Sequence, residues 1–312
     1  MTTSHRCGYV ALIGRPNAGK STLLNQILGS KLAITSAKPQ TTRNRIVGVH
    51  SDPEMQAIFV DTPGIHQAWT ELNRSMVEVA TRAIAEVDVV CWIEDMALLA
   101  SRLMDPTQQL LDPIGEDIAT AVADCGKPVI FVANKMDVID KPLVLPVIDA
   151  IRSRVPLLAA IPLSALTGDG TADLLLQLRE QLPVHPPLFP EEHWTEATER
   201  FLVSELIREK IFQLLDQEVP YATFVEIESF DEEARETEDI VRIHAAIIVE
   251  RQSQKGIVIG KGGAMLGRIG TGARLEAERL LGCRVFLKLF VKVVPDWTRT
   301  ARGLKRVGFE PG

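Results

Sequence analysis

The stretch Gly14-Arg15-Pro16-Asn17-Ala18-Gly19-Lys20-Ser21-Thr22 constrains the fold more than any other part of the chain. It follows the apolar run 9–14 and precedes the helix-like segment 23–28, so a GxxxxGK[ST] pattern sits at a strand-to-helix junction. The glycines let the backbone wrap a phosphate chain with successive N–H groups pointing inward. Lys20 is then placed to reach β- and γ-phosphates, Ser21 to bind Mg²⁺, and the following helix offers its positive end.

The rest of the first 180 residues agrees with that junction. Short, continuously apolar runs at 9–14, 56–61, 87–93, 129–134 and 159–163 read as central parallel strands covered on both faces. Helix-like segments at 23–28, 72–86, 108–123 and 174–182 alternate with them. This predicts an α/β domain with a doubly wound, mostly parallel sheet over residues 1–182, its ligand site beyond the carboxyl ends of the strands. The Pro-rich run that follows, Pro183-Val-His-Pro-Pro-Leu-Phe-Pro190, predicts a semi-rigid linker over 183–197 that can neither extend a helix nor join a sheet. Residues 198–312 then read as a small α+β module: helix 198–215, strands 221–229 and 240–250, a Gly-rich helix–turn–helix at 257–281 and a last strand at 284–294.

Three further motifs fall at predicted strand ends in the order that guanine-nucleotide switches require. Asp61-Thr62-Pro63-Gly64 places a carboxylate to act on Mg²⁺ through its shell and a glycine N–H to meet a γ-phosphate. In Asn134-Lys135-Met136-Asp137, Asp137 can accept from guanine N1–H and the exocyclic amine, two donors that adenine lacks in this geometry. Ser164-Ala165 suits a backbone N–H contact to guanine O6. Between the first loop and Asp61, the polar stretch 36–45 fits a switch segment, with Thr42 the first candidate Mg²⁺ ligand and Thr41 the second. Ile65 stands where Ras-type enzymes place a water-orienting glutamine, so hydrolysis should be slow unaided; Asn17 is the nearby polar residue.

The net charge of −7 hides an asymmetry. Residues 251–312 carry thirteen Lys+Arg against four Asp+Glu, whereas residues 191–250 carry five against seventeen. This asymmetry fits either of two arrangements: the two segments pair with each other, or the basic one faces phosphate. Within it, Gly260-Lys261-Gly262-Gly263 matches the GxxG loop with which KH modules clamp single-stranded nucleic acid, although a tight turn between helices has the same pattern. Four scattered cysteines without a CxxC pair, and histidines without an HExxH pattern, argue against structural zinc, a disulfide framework and a zinc hydrolase, and suit a reducing cytoplasm. No apolar run approaches the ~18 residues of a spanning helix, and no signal peptide is evident.

Taken together, GRPNAGKSTLLN (14–25), AITSAKPQTTRNRIVGV (33–49), FVDTPGIH (59–66), NKMD (134–137), SQKGIVIGKGGAMLGRIG (253–270) and LGCRVFL (281–287) resemble the bacterial Era GTPases over nearly the whole chain. The resemblance implies a Ras-like G domain followed by a type II KH domain. It implies slow GTP hydrolysis to GDP and binding to the 3′ end of 16S rRNA, with a part in 16S rRNA processing and small-subunit assembly as a monomer. It also implies peripheral association with the inner face of the cytoplasmic membrane. Carried over, Gly14–Ser21 is the phosphate loop, Thr42 the switch threonine and Asp61–Gly64 the second switch. Asn134, Lys135 and Asp137 form the base reader, and Gly260–Gly263 is the RNA loop. Lys20, Thr42 and Gly64 would serve catalysis, with Asn17 a K⁺ ligand. The family pattern commonly has lysine where Gly267 stands here, and Arg268 is the residue available to replace that phosphate contact.

Overall fold

The structure, a computed structural model, describes residues 5–36, 38–65, 70–307 and 309; Ala37 and His66, quoted with the switch motifs above, lie outside them. The chain divides into two compact units that change over between Glu196 and Ala197, with a short segment ending at Arg74 grouped with the second.

The first unit runs β1 (Arg6–Gly14), α1 (Lys20–Leu28), β2 (Ile46–Ser51), β3 (Met55–Asp61), α2 (Glu71–Glu86), β4 (Val89–Asp95), α3 (Met96–Met104), α4 (Pro113–Ala123), β5 (Val129–Asn134), α5 (Val144–Arg152), β6 (Ala159–Pro162) and α6 (Thr171–Gln181). The sheet order is β2-β3-β1-β4-β5-β6. All pairs are parallel except β2–β3. Strands β3 and β5 are buried along their whole length, because helices cover both faces. In the core under β1, β4 and β5, Trp92 meets Phe131 edge-on at 5.2 Å.

Two expectations from sequence shift. The antiparallel strand β2 lies in Ile-Val-Gly-Val-His-Ser, where Gly48 blurs the apolar pattern; a Cβ there would come within 2.7 Å of Leu28 Cδ1. The helix expected at 108–123 begins only at Pro113, because Asp112 caps it: its carboxylate accepts from Gly115 N at 3.0 Å, and proline takes the first helical position.

The Pro-rich stretch is a strap on the first unit, contrary to its reading as a linker that joins no sheet. Val184 bridges to Arg6 and Thr195 to Gly48. Gln56, 1% exposed, fastens the middle. Its Oε1 accepts from Leu188 N (2.7 Å) and Phe189 N (3.0 Å), while its Nε2 donates to Phe189 O (2.9 Å). Proline removes donors but leaves carbonyls and the intervening N–H groups, and a buried side-chain amide can satisfy both kinds.

The second unit runs α7 (Glu199–Leu214), β7 (Phe224–Asp231), α8 (Arg235–Glu238), β8 (Ile240–Val249), α9 (Gln252–Ile259), α10 (Ala264–Leu281), β9 (Arg284–Val293) and α11 (Ala301–Arg306). Its sheet order is β7-β8-β9, with β7–β8 antiparallel and β8–β9 parallel. Helices α7 and α10 share a core with the inward residues of all three strands. The first strand starts later than expected from sequence, since 220–222 form a 3₁₀ turn.

Candidate nucleotide and RNA sites

The glycine-rich loop closes on a cavity of about 360 Å³ lined by Pro16, Gly19, Lys20, Ser21, Thr42 and Lys135, among others. Lys20 is 6% exposed and donates to the carbonyls of Gly14 (3.1 Å) and Arg15 (2.8 Å). Burial pushes its pKa down to about 8, against the pull of Asp61 and Glu94. These contacts use two of the three ammonium donors and leave one for an anion in the cavity.

Three oxygen groups converge beside it. Ser21 Oγ donates to Asp61 Oδ2 at 2.6 Å and lies 2.8 Å from Thr42 Oγ1. Thr42, the first of the two switch candidates from sequence, is turned into this cluster; Thr41 instead donates to Lys38 O at 2.9 Å. Asp61 is fully buried and its Oδ1 has no partner. Burial raises its pKa to about 6, opposed by Lys20, Ser21, Thr42 and the Thr62 N–H. Two hydroxyls and a carboxylate with an unmet oxygen are hard donors that fit Mg²⁺. No group of three or more His, Cys, Asp or Glu side chains among the described residues could hold a metal.

The Asp61–Gly64 segment abuts the loop. Thr62 Oγ1 donates to Leu12 O (2.9 Å), and a Cβ on Gly64 would fall 2.6 Å from Pro16 N. Ile65 turns into the hydrophobic core, so its side chain presents nothing to water in the cavity. Asn17 lines the cavity in a left-handed conformation, φ 63°.

Asp137 Oδ1 accepts from Ser164 Oγ at 2.6 Å, which fixes the orientation of its carboxylate. The side chain of Asn134 joins two loops: Nδ2 donates to Ala18 O (2.7 Å) and Oδ1 accepts from Ala165 N (2.9 Å). The expected O6 donors are thus already engaged, Ala165 N by Asn134 and Ser164 N by Asp169 O (2.9 Å). Lys135, at φ 68°, pairs with Asp95 at 2.6 Å, the carboxylate that caps α3.

The side chain of Arg15, grouped with the nucleotide-binding residues from sequence, points into a fork with Asp112, which also pairs with Arg102 at 2.8 Å. The guanidinium contacts hold the Asp112 carboxyl far below its usual range. Glu94, at the end of β4, escapes sequence reasoning altogether. It is fully buried; Oε1 accepts from Trp92 Nε1 at 2.9 Å and Oε2 has no partner. Burial pushes its pKa up to about 7, opposed by Trp92, Arg15 and Lys20. In the sequence Glu94 is one of two carboxylates that directly follow the apolar run Val-Val-Cys-Trp-Ile.

In the second unit, Gly260–Gly263 links α9 to α10. Gly260, Gly262 and Gly263 have φ of 72°, 60° and 82°, and a Cβ at Gly260 would meet Met265 N at 2.9 Å. Lys261 and Gly262 are exposed, and open space surrounds Gly262 and Gly263. A groove of about 340 Å³ runs from this loop between α10 and β9, past Gly263, Gly267, Gly270 and Arg274 to Leu287 and Lys288. Arg268 does not line it. Successive helix residues are about 100° apart, so Arg268 faces a different groove, with Lys210 of α7. The α10 cation on the β9 side is Arg274, which pairs with Glu278 at 2.6 Å.

Comparison with known proteins matches this two-unit design. A family described as 50S ribosome-binding GTPase matches residues 9–135, and a KH domain family matches 218–298. GTPase Era of Geobacter metallireducens is 50% identical over 304 residues, covering 97% of this chain and 98% of its own. The chain belongs to the Era family of GTPases. GTPase Era of Coxiella burnetii is 44% identical, covering 97% and 98%. Among solved structures, a variant of Aquifex aeolicus Era bound to GDP·AlF₄⁻ superposes with a TM-score of 0.89 at 40% identity, covering 97% of this chain and 99% of that one. Era in complex with MgGDPNP and nucleotides 1506–1542 of 16S ribosomal RNA gives 0.90, also at 40% identity, covering 98% and 99%.

Proposed function

We propose that this Era-family GTPase is a GTP-hydrolysing switch that binds the 3′ region of 16S rRNA through its KH unit and assists 16S rRNA processing and small-subunit assembly. The observation that carries the switch is the convergence of Ser21, Thr42 and Asp61 on one point. When Mg²⁺ is bound it supplies charge neutralisation at the phosphates. Ser21 and Thr42 would hold it directly and Asp61 through its shell. Lys20 would meet the β- and γ-phosphates, and the Gly64 N–H the γ-phosphate. Thr42 belongs to the segment between α1 and β2, so contact with a γ-phosphate-bound metal ties that segment to the triphosphate state. Asp137 would read guanine, and Gly260–Gly263 with Lys261 would hold the RNA backbone.

With Ile65 in the core, this chain has no glutamine to orient water there. A monovalent cation held by Asn17 would place charge near the transferring phosphate as an arginine finger does. Hydrolysis should therefore be slow in Na⁺, rise in K⁺, and lose that difference in Asn17→Ala; equal rates in both salts would remove K⁺ from the site. The partner is a small-subunit precursor, met by a monomer. Recovery of the 3′ end of 16S rRNA by crosslinking to the GTP-analogue-bound protein tests this, and RNA from elsewhere would overturn it. Peripheral contact with the inner face of the membrane rests on the family resemblance and the basic C-terminal segment; no helix among the described residues is long and apolar enough to cross a membrane.

Ile65 also favours a second reading, an RNA chaperone gated by nucleotide binding with incidental hydrolysis. Release from the particle with GTP but not with a slowly hydrolysed analogue separates the switch from the chaperone.

A further inference from the structure

Solvent-facing sides of sheets ordinarily carry polar residues. Strand β9 departs from that rule. Its residues Val285, Leu287, Leu289, Val291 and Val293 pack with the helices of the second unit. The alternate residues face the other way, and among them Phe286 is 50% and Phe290 37% exposed. On the neighbouring strand His244 lies between them, with ring centroids 6.4 Å from Phe286 and 6.2 Å from Phe290. Three rings in a row thus form an exposed aromatic surface, which calls for an occupant where a scattered apolar residue would not.

The surroundings favour nucleic acid. Lys288 holds its ammonium 5.2 Å over the Phe290 ring, and Arg242, Arg284 and Lys292 stand on the same two strands. The acidic residues Glu226 and Glu228 are on β7, and Lys292 is paired with Glu228, so the β8–β9 half is the basic half. Strand β9 is also the sheet edge, and Lys288 lines the groove beside the glycine loop. A strand of RNA leaving that groove therefore meets Lys288 first and the rings next. Aromatic rings beside cations accept any base by its π-face.

We propose that Phe286, His244 and Phe290 form a second RNA subsite, a base-stacking platform for single-stranded nucleotides that continue past the β9 edge of the KH groove. This rests on the reading of that groove as an RNA site. The test uses the full chain and labelled oligoribonucleotides of about four residues, the span of a KH loop, and about ten, all from the 16S 3′ region. Phe286→Ala/Phe290→Ala should lower affinity for the longer probe about ten-fold, in line with stacking on aromatic side chains, and leave the short one unchanged. Phe290→Trp should keep wild-type affinity, and its emission should be quenched by the longer probe only. Gly262→Asp should weaken both probes.

Equal loss of both probes in the double variant, or of neither, overturns the platform while leaving the groove intact. Wild-type binding by Gly262→Asp overturns the groove and the platform with it. Normal RNA binding by a double variant that has lost self-association would assign the face to a second copy of the chain. Phe290→Trp alone decides the matter should the double variant be unstable: an emission unmoved by the longer probe counts against stacking.

Discussion

The side chain of Asn134 passes so close to Gly19 that a Cβ on that glycine would sit 2.1 Å from Asn134 Nδ2. Gly19 has φ of 100°, and Asn134 is 2% exposed and bonded to Ala18 and Ala165. The second glycine of the phosphate loop is therefore set by two requirements, a left-handed backbone and a side chain crossing above it. Asn134 clamps the glycine-rich loop to the loop that carries Ser164.

Gly19→Ala should accordingly displace Asn134 and open the clamp. Expected is a loss of about 100-fold in guanine-nucleotide affinity, corresponding to two buried hydrogen bonds. Asn134→Ala should show a similar loss. Titration with a fluorescent GDP checks both, and far-UV circular dichroism should stay that of the wild type. Full affinity in Gly19→Ala would show that Asn134 moves aside at no cost.

Glu94 gives the site a pH dependence. Its pKa is pushed up to about 7 in the fold by burial, whereas in the unfolded chain it lies near 4.5. Between those values the native state holds a proton that the unfolded state has released, so stability falls as pH rises through that window. The full effect is on the order of 3 kcal/mol. Glu94→Gln keeps the shape and cannot ionise. Relative to that variant, the nucleotide-free wild type should lose urea resistance between about pH 4.5 and 7, then run parallel to it. The opposite trend would mean that Arg15 and Lys20 keep the carboxylate ionised.

Much of this was legible in the sequence, for a physical reason. Phosphate loops, the Asp61 turn and the 134–137 turn are local devices, each encoded by consecutive residues at a strand end. The strand–helix alternation carried the sheet, and the α-β-β-α-α-β order carried the second unit. What escaped was long-range. Glu94, Asp112 and Gln56 act on residues that are far off in sequence: Asp112 meets Arg15 across 97 positions, and Gln56 meets Phe189 across 133. Arg268 was adjacent to the expected lysine position, but adjacency along a helix means another face.

The proposed base reader, Asp137, can be tested directly. Its Oδ1 is held by Ser164 Oγ at 2.6 Å, so the carboxylate is oriented before nucleotide arrives. Asp137→Asn replaces one acceptor with a donor. GTP affinity should fall about 100-fold. Xanthosine triphosphate, whose ring presents an acceptor in place of the exocyclic amine, should gain. A competition assay in which the variant still prefers GTP would remove Asp137 from the base reader.

Gln56 tests whether the 183–195 segment is a strap or a spacer. Its buried amide satisfies Leu188 N, Phe189 N and Phe189 O, and donates to Ser51 Oγ at 3.0 Å as well. Replacing it with leucine keeps the bulk but orphans backbone groups, each costing about 1–3 kcal/mol when no water reaches it. The strap can partly lift to regain water, which limits the loss. Gln56→Leu should therefore destabilise the first unit by about 3 kcal/mol. It should also speed proteolytic cleavage within 183–195 under conditions where the rest of the chain stays folded. Val49 N bonded to Trp194 O at 2.9 Å and Thr195 Oγ1 to Val47 O at 2.7 Å would still hold the far end, so the first cuts should fall nearer Phe189. A free linker makes the contrary forecast, with wild-type stability in the variant and rapid cleavage in both proteins. Urea unfolding and limited proteolysis of the two side by side distinguish them.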